Sequence, residues 1–336
     1  LFDKLTFGRL SDKGFAIIGF YHFQSGLLPT QYNLSHYLSA HGWTSTRFRW
    51  RANFSDENLN FYEPAAQCLE YKHRLAELVS AYCPDAMPLT YPINDQNWRQ
   101  VLSNLAEQPD LLWILKPALL NNGQHIRLFD NLDGLKRHYL STNRLGGEHV
   151  LQRYITNPHL LRDDRKYSIR LFFIITNYAG AFLYPYGYFN VATRPYNPSN
   201  LTDLRPHLTN EHLLGEESNV IQIPAVRFES YTGLYPQMKT ILSRLIAGLK
   251  QDYPQAFQKG HQRTLGFFGA DFMVDIQGRV WLLEVNHGPC FPVADDHPLQ
   301  DYLYRDFWTS VVQTFILAFA TKNHDVSLET SSFERL

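Results

Sequence analysis

The stretch that most constrains this chain is Gly266–Cys290, GFFGADFMVDIQGRVWLLEVNHGPC. Two strand-like runs, Phe267–Ile276 and Val280–Val285, flank Gln277-Gly278 and predict an antiparallel hairpin. With a two-residue turn Ile276 pairs with Arg279, and counting back sets Asp271 opposite Glu284. Asn286 lies two residues on from Glu284, on the same strand face. Two carboxylates facing each other destabilise a sheet. A shared proton, a basic side chain or a hard cation would offset that, and Asp, Glu and an Asn carbonyl are suitable ligands for such a cation. Phe272, Val274, Trp281, Leu283 and Val285 fall on the other face and predict a core beneath the hairpin, so the acids should face a cleft. Magnesium, which is held by one or two carboxylates plus substrate phosphates, is the favoured cation. The plainer alternative is a solvated strand face with ordinary surface acids.

The rest of the chain reads as alternating helices and strands. Residues 14–23 predict a buried strand, Pro29–His41 a helix stopped by Gly42, and Thr46–Phe54 a strand of alternating Arg and aromatics. Pro64 opens a predicted helix over Ala65–Tyr82. A second unit holds a helix over Asn94–Gln108, strands over Leu111–Lys116 and His125–Phe129, a helix over Asn131–Thr142 and a strand over Val150–Tyr154. The third unit pairs Tyr167–Thr176 with Ala181–Phe189, then adds a helix over Tyr231–Lys250, the acidic hairpin, and a last helix over Leu299–Thr321.

Composition excludes more than it selects. The chain's 336 residues suit two or three folded units. Its 31 Lys and Arg nearly cancel 32 Asp and Glu. No overall field favours nucleic acid or an anionic membrane, and neither partner is expected. Cys68, Cys83 and Cys290 make neither a disulfide framework nor a zinc ribbon, so a reducing, cytoplasmic compartment is expected. Cys290 is expected to be a small buried residue. The chain begins Leu-Phe-Asp, which leaves open export by a signal outside it. The longest apolar runs fall far short of the ~20 residues that span a bilayer. P-loop, Rossmann, zincin and α/β-hydrolase motifs are absent.

Lys116 ends an apolar strand beside a turn. Lys166, Ser168 and Arg170 share one face of another strand. Such cations, in a chain with a paired-acid site, suggest a polyphosphate ligand. Ordinary surface cations at strand ends are the alternative.

Taken in order, these pieces resemble the tubulin-tyrosine ligase-like family, a branch of the ATP-grasp ligases. The resemblance runs through WILKP (113–117), a lid-length loop to Ile126, VLQRYI (150–155) and LLRDDRKYSIR (160–170). It continues through Tyr184–Gly187, Pro195-Tyr196, HLTN (207–210), FGADF (268–272) and WLLEVN (281–286). It implies an α/β (α+β) ATP-grasp fold: two lobes, 83–157 and 158–336, closing on Mg-ATP after a small N-terminal αβ domain, 1–82. It implies that Lys116 and Lys166 hold ATP phosphates, and that Gln152 and the backbone of Arg153, Tyr154 and Ile155 hold adenine. Thr209 and Asn210 would line the nucleotide site. Asp271, Glu284 and Asn286 would bind magnesium. Arg170 would stabilise the transferred phosphoryl group, so Arg170 and Glu284 are the catalytic candidates.

The implied reaction joins a free amino acid to a carboxylate of a protein or peptide acceptor through an acyl phosphate. Ser168, Tyr186, Asn190 and Arg194 depart from the family's usual Asp, acid, Arg and Glu. Asn190, Arg194 and His207 are the candidate substrate-side residues. With that side rewritten, tubulin is one acceptor among others. A nucleotide-binding pseudoenzyme or interaction module, and an enzyme transferring phosphate or a nucleotide to a protein, are the alternatives.

Overall fold

Side-chain alternation along two long strands sets the architecture, and shorter elements fill in around them. The computed structural model describes residues 19–24, 28–105, 112–213, 217–293, 296–320 and 331–336. The first unit contains β1 (Phe20–His22), α1 (Pro29–Ala40), β2 (Thr44–Ser45) and β3 (Phe54–Ser55), with the strands parallel in the order β2-β1-β3. Pro at the first helical position suits α1, and Gly42, at φ +81°, turns the chain out of it.

The first predicted strand is present as β1, and the third predicted segment is almost wholly not a strand. Residues 14–18 of the first predicted strand lie outside the described residues. Of the predicted strand Thr46–Phe54 only Phe54 lies in one, at the start of β3; the rest contains a 3₁₀ turn at Arg49–Arg51. Phe48 and Trp50 are 54% and 82% exposed, so the alternating aromatics have no core to face, and packing is what makes such a pattern a strand.

The predicted helix over 65–82 is two helices, α2 (Glu63–Glu70) and α3 (Lys72–Tyr82). They break at Tyr71, whose φ of −77° and ψ of 114° are extended. Next come β4 (Thr90–Ile93), α4 (Trp98–Asn104), β5 (Trp113–Pro117), β6 (Arg127–Phe129), α5 (Leu132–Leu140) and β7 (His149–Arg153). Their strands form an antiparallel sheet in the order β4-β7-β5-β6. Trp98, Val101, Leu135 and Tyr139 of α4 and α5 pack on one face, against Trp113, Leu115 and Leu151. The helix α4 starts later than predicted because Asn94 and Asn97 engage each other's backbone in a turn ahead of it; residues 106–108 of the predicted span lie outside the described residues. Asn131 caps α5 by accepting from the Gly134 amide at 2.7 Å.

The remainder comprises β8 (Arg165–Thr176), β9 (Gly180–Pro195), β10 (His212–Leu213), β11 (Glu217–Ser218), β12 (Val220–Pro224), α6 (Tyr231–Asp252), β13 (Leu265–Val274), β14 (Val280–His287), α7 (Arg305–Val311) and β15 (Glu334–Arg335). The main sheet is antiparallel, ordered β12-β9-β8-β13-β14, with β15 added to β9. The C-terminal helical run is not uniform: α7 lies between π-helical turns at Gln300–Tyr304 and Val312–Ile316. Among the described residues no helix is long and apolar enough to cross a membrane. This mixture of helices and several antiparallel sheets is the α+β, ATP-grasp class that the resemblance implies.

Strand β8 shows how the sheet serves two ends. Tyr167, Ile169, Leu171, Phe173 and Ile175 point into a core built with α2, α3 and α6. The alternate residues change character midway. Phe172 and Ile174 pack under the C-terminal helical run with Phe307 and Phe315, whereas Lys166, Ser168 and Arg170 line a cleft. One face of one strand is thus core at one end and polar at the other. The aromatics Phe172, Phe173, Phe182 and Tyr184 are all buried.

Gly187 on β9 permits this strand pairing. A Cβ there would stand 2.2 Å from the Arg170 carbonyl oxygen and 2.6 Å from Leu171 Cδ2. Gly187→Ala should therefore destabilise the protein by about 1–3 kcal/mol, the ordinary cost of overpacking. Urea unfolding tests this, and an unchanged midpoint would show that the strands can separate freely there.

Candidate active site

The four-stranded sheet and the main sheet meet at a cleft of about 540 Å³. The acidic hairpin forms one wall. The structure pairs Asp271 with Glu284, as counted from the sequence, but through two departures that cancel. The turn is wider than two residues: Asp275 pairs with Arg279, and the Gly278 amide donates to the Asp275 carbonyl at 2.9 Å. A bulge then skips Leu283, because Phe272 pairs with Leu282 while Asp271 pairs with Glu284. Phe272, Val274 and Val285 face the core as expected, but the wider turn reverses the facing of β14 up to the bulge. Val280 and Leu282 are buried in the core, and Leu283 lines the cleft instead. Trp281 likewise leaves the predicted core face: its Nε1 donates to Asp275 Oδ2 at 2.9 Å.

Arg170 holds Asp271 through two parallel bonds, Nε to Oδ1 at 2.6 Å and Nη2 to Oδ2 at 2.5 Å. Asn286 Nδ2 donates to the same Oδ2 at 3.2 Å. Gly269 leaves room for this arginine, since a Cβ there would lie 3.0 Å from Arg170 Cδ. Burial pushes the Asp271 carboxyl above its ordinary range, against the pull of Arg170. Burial acts on Glu284 too, but Lys72, Lys116 and Arg170 outweigh it and hold that carboxyl low. Among the described residues no group of three His, Cys, Asp or Glu could hold a metal ion. The candidate cation site is two carboxylates and an amide, an oxygen donor set suited to a hard cation.

The two lysines come from different sheets. Lys116, on β5, donates to Gln152 Oε1 at 2.8 Å, and Gln152 Nε2 donates to Thr90 Oγ1 at 2.9 Å. Burial pushes Lys116 down to about 8, although Glu284 pulls it up. Lys166, on β8, is pushed down to about 7 by burial and then by the charge of Lys116. Two buried ammonium groups close enough to repel make the cleft receptive to an anion.

Arg153, Tyr154, Ile155, Asn190, His207, Thr209 and Asn210 also line the cleft. Thr209 Oγ1 donates to Ser168 Oγ at 2.8 Å, and Asn190 lies between Ser168 and Gln222 in register. Among the described residues buried Asn190 Oδ1 has no hydrogen-bond partner. Arg194 is not part of this lining. It faces Asp203 at 3.8 Å with half its side chain exposed. Cys290, expected to be buried, is exposed at the cleft edge, because the chain leaves the sheet after His287.

Sequence reasoning missed Lys72. Its Nζ lies 3.7 Å from Glu284 Oε2 and donates to the Leu120 carbonyl at 2.9 Å. The break at Tyr71 brings it there, and no Gly or Pro between Glu70 and Lys72 marks that break in the sequence.

A cleft between two antiparallel sheets, with a lysine from each and a paired-acid hairpin, is the arrangement that the resemblance to the ATP-grasp class implies. The chain belongs to the tubulin-tyrosine ligase family, whose sequence model matches residues 62–324. It is 25% identical over 248 residues to tubulin glycylase 3C of Tetrahymena thermophila, a match covering 68% of this chain and 22% of that one. It is 27% identical over 270 residues to the probable tubulin–tyrosine ligase PBY1 of Saccharomyces cerevisiae, covering 63% and 34% of the two chains. It is 28% identical over 238 residues to the inactive polyglycylase TTLL10 of Homo sapiens, covering 60% and 34%. The matches thus span about a fifth to a third of these relatives' lengths.

Proposed function

We propose that this chain is an ATP-dependent carboxylate–amine ligase that joins an amino acid to a carboxylate of a protein or peptide. One observation carries the reading: two buried lysines from two sheets face a wall of Arg170, Asp271, Glu284 and Asn286 in one cleft. A nucleotide polyphosphate supplies the negative charge that the lysines lack. Gln152 and the backbone from Arg153 to Ile155 border the base, and Thr209 and Asn210 close the opposite side. A magnesium ion held by Asp271, Glu284 and Asn286 would neutralise phosphate charge, and these oxygen donors fit it. The acceptor carboxylate attacks the γ-phosphate to give an acyl phosphate and ADP, and the donor's amine displaces phosphate. A carboxylate is a poor acyl donor, and phosphorylation gives it a leaving group. The protein's share is positioning and charge stabilisation, the latter through Arg170. Within this reading, residues 1–82, 83–157 and 158–336 act as an N-terminal domain and two ATP-grasp lobes. The names of the relatives make tubulin a candidate acceptor.

The test incubates the protein with Mg-ATP, mixed amino acids and a protein or peptide extract, and identifies products by mass spectrometry. ADP, phosphate and an amino-acid mass addition are the expected products. AMP, or a phosphoryl or adenylyl adduct, would make it a transferase instead. Asn190→Arg should shift the donor profile, because it adds a cation to a neutral row of Ser168, Asn190 and Gln222. An unchanged profile would remove Asn190 from donor choice.

A nucleotide-binding module without ligation is the second reading. The engagement of both Asp271 oxygens by Arg170 favours it, since that leaves the acid already neutralised. Tight ATP binding without product, across acceptors that active relatives modify, is its signature.

A further inference from the structure

Lys166 is 1% exposed, and its bonded partners are neutral. Its Nζ donates to the Tyr154 hydroxyl at 2.8 Å and to the His207 carbonyl at 2.9 Å. It also stands 4.4 Å from the ring centroid of Tyr154 and 5.5 Å from that of Tyr196. An ammonium has three N–H donors, so among the described residues one is left.

The Tyr154 hydroxyl also meets His207 Nδ1 at 2.8 Å, and His207 Nε2 lies 2.9 Å from the Asn200 carbonyl oxygen. A carbonyl can only accept, so Nε2 carries a hydrogen. Burial pushes the His207 imidazole below its ordinary range, so the ring is neutral at neutral pH. Nδ1 is then an acceptor, and Tyr154 donates to it. The Tyr154 oxygen therefore turns its lone pairs to Lys166. The Tyr154 hydroxyl also shares a side-chain hydrogen bond with Tyr196.

We propose that His207 is a positioning residue for the nucleotide phosphates: it orients the Tyr154 hydroxyl as an acceptor, which leaves one Lys166 N–H for the ligand. This rests on the reading of the cleft as a nucleotide site. Both ring nitrogens of His207 are occupied within the protein, so it acts through Tyr154 and Lys166 and not on substrate. The same link ties the loop carrying Thr209 and Asn210 to the end of β7, which Tyr154 follows.

Lys116, Tyr154, Tyr196 and His207 face Lys166, and Asp203 acts on His207 from its own loop. The sign of the proton linkage follows. With its pKa lowered to about 7, Lys166 is largely deprotonated in the free site at pH 8. A phosphate beside it raises that pKa, so binding at pH 8 takes up a proton.

The test is titration calorimetry of the full chain with adenylyl imidodiphosphate and magnesium, at pH 8 in two buffers of different ionisation enthalpy. The wild-type protein should take up a proton. Lys166→Met should bind weakly without uptake. His207→Leu and Tyr154→Phe should each weaken binding about tenfold, the scale of one hydrogen bond to a charged group, and reduce uptake. The double variant should be no weaker than either single one. His207→Asn, which restores an acceptor near the Nδ1 position, should recover part of the loss. Wild-type affinity and uptake in Tyr154→Phe or His207→Leu, or additive losses in the double variant, would overturn the role of His207. If Lys166→Met still loses binding, the nucleotide reading survives that result. Should His207→Leu not fold, Tyr154→Phe, which keeps the ring, decides alone. A wild-type protein that binds no nucleotide overturns both.

Discussion

Glu284→Gln is expected to lower amino-acid ligation at least ~100-fold while the protein stays folded. The substitution conserves volume and removes one charge. In the free protein that charge is faced by Lys72 at 3.7 Å and hydrogen-bonded by Asn286. Lys116 and Arg170 also act on it, and together the three cations keep it ionised at neutral pH despite burial. The amide keeps an oxygen but loses the charge that would hold a cation beside Asp271, and it leaves Lys72 and Lys116 less compensated. Product formation by mass spectrometry and unfolding by urea are read on the same preparation. Near-normal turnover with an unchanged midpoint would sink the site assignment. Lost turnover with a large fall in stability would mean that Glu284 is structural.

Asp271→Ala should cost about 3–5 kcal/mol of stability, because it leaves the Arg170 guanidinium buried and uncompensated. Both partners are largely buried, at 17% and 9% side-chain exposure, and they share two bonds. The pair need not be a net source of stability, since its desolvation offsets much of its attraction. Arg170→Met combined with Asp271→Leu should therefore recover most of the loss while remaining inactive. Urea unfolding of the single and double variants makes the comparison. A single-variant loss below about 1 kcal/mol would mean that water reaches the guanidinium and the wall is open.

The site was legible where local rules suffice. Strand periodicity alone put Lys166, Ser168 and Arg170 on one face, and all three line the cleft. The pairing of Asp271 with Glu284 also held, but by compensation: a wider turn was offset by a bulge at Leu283. The predicted facing of Trp281 and Leu283 failed for the same reason. A one-residue slip exchanges the two faces of a strand, and the sequence contains no mark of where the slip occurs. Lys72 was invisible because its helix breaks at an ordinary Tyr, and the Arg-aromatic segment misled because its alternation has no core beneath it.

The sequence by itself determined the family, through an ordered set of motifs, and the two lysine-bearing strands, through residue type and short-range period, which a chain carries before it folds. Only the tertiary structure decided which charges meet: Arg170 clasping Asp271, Lys72 facing Glu284, and the His207–Tyr154–Lys166 chain. Those contacts join residues from 12 to 212 positions apart. They depend on where a bulge, a helix break and a loop place side-chain ends within a few ångströms, which no local pattern encodes.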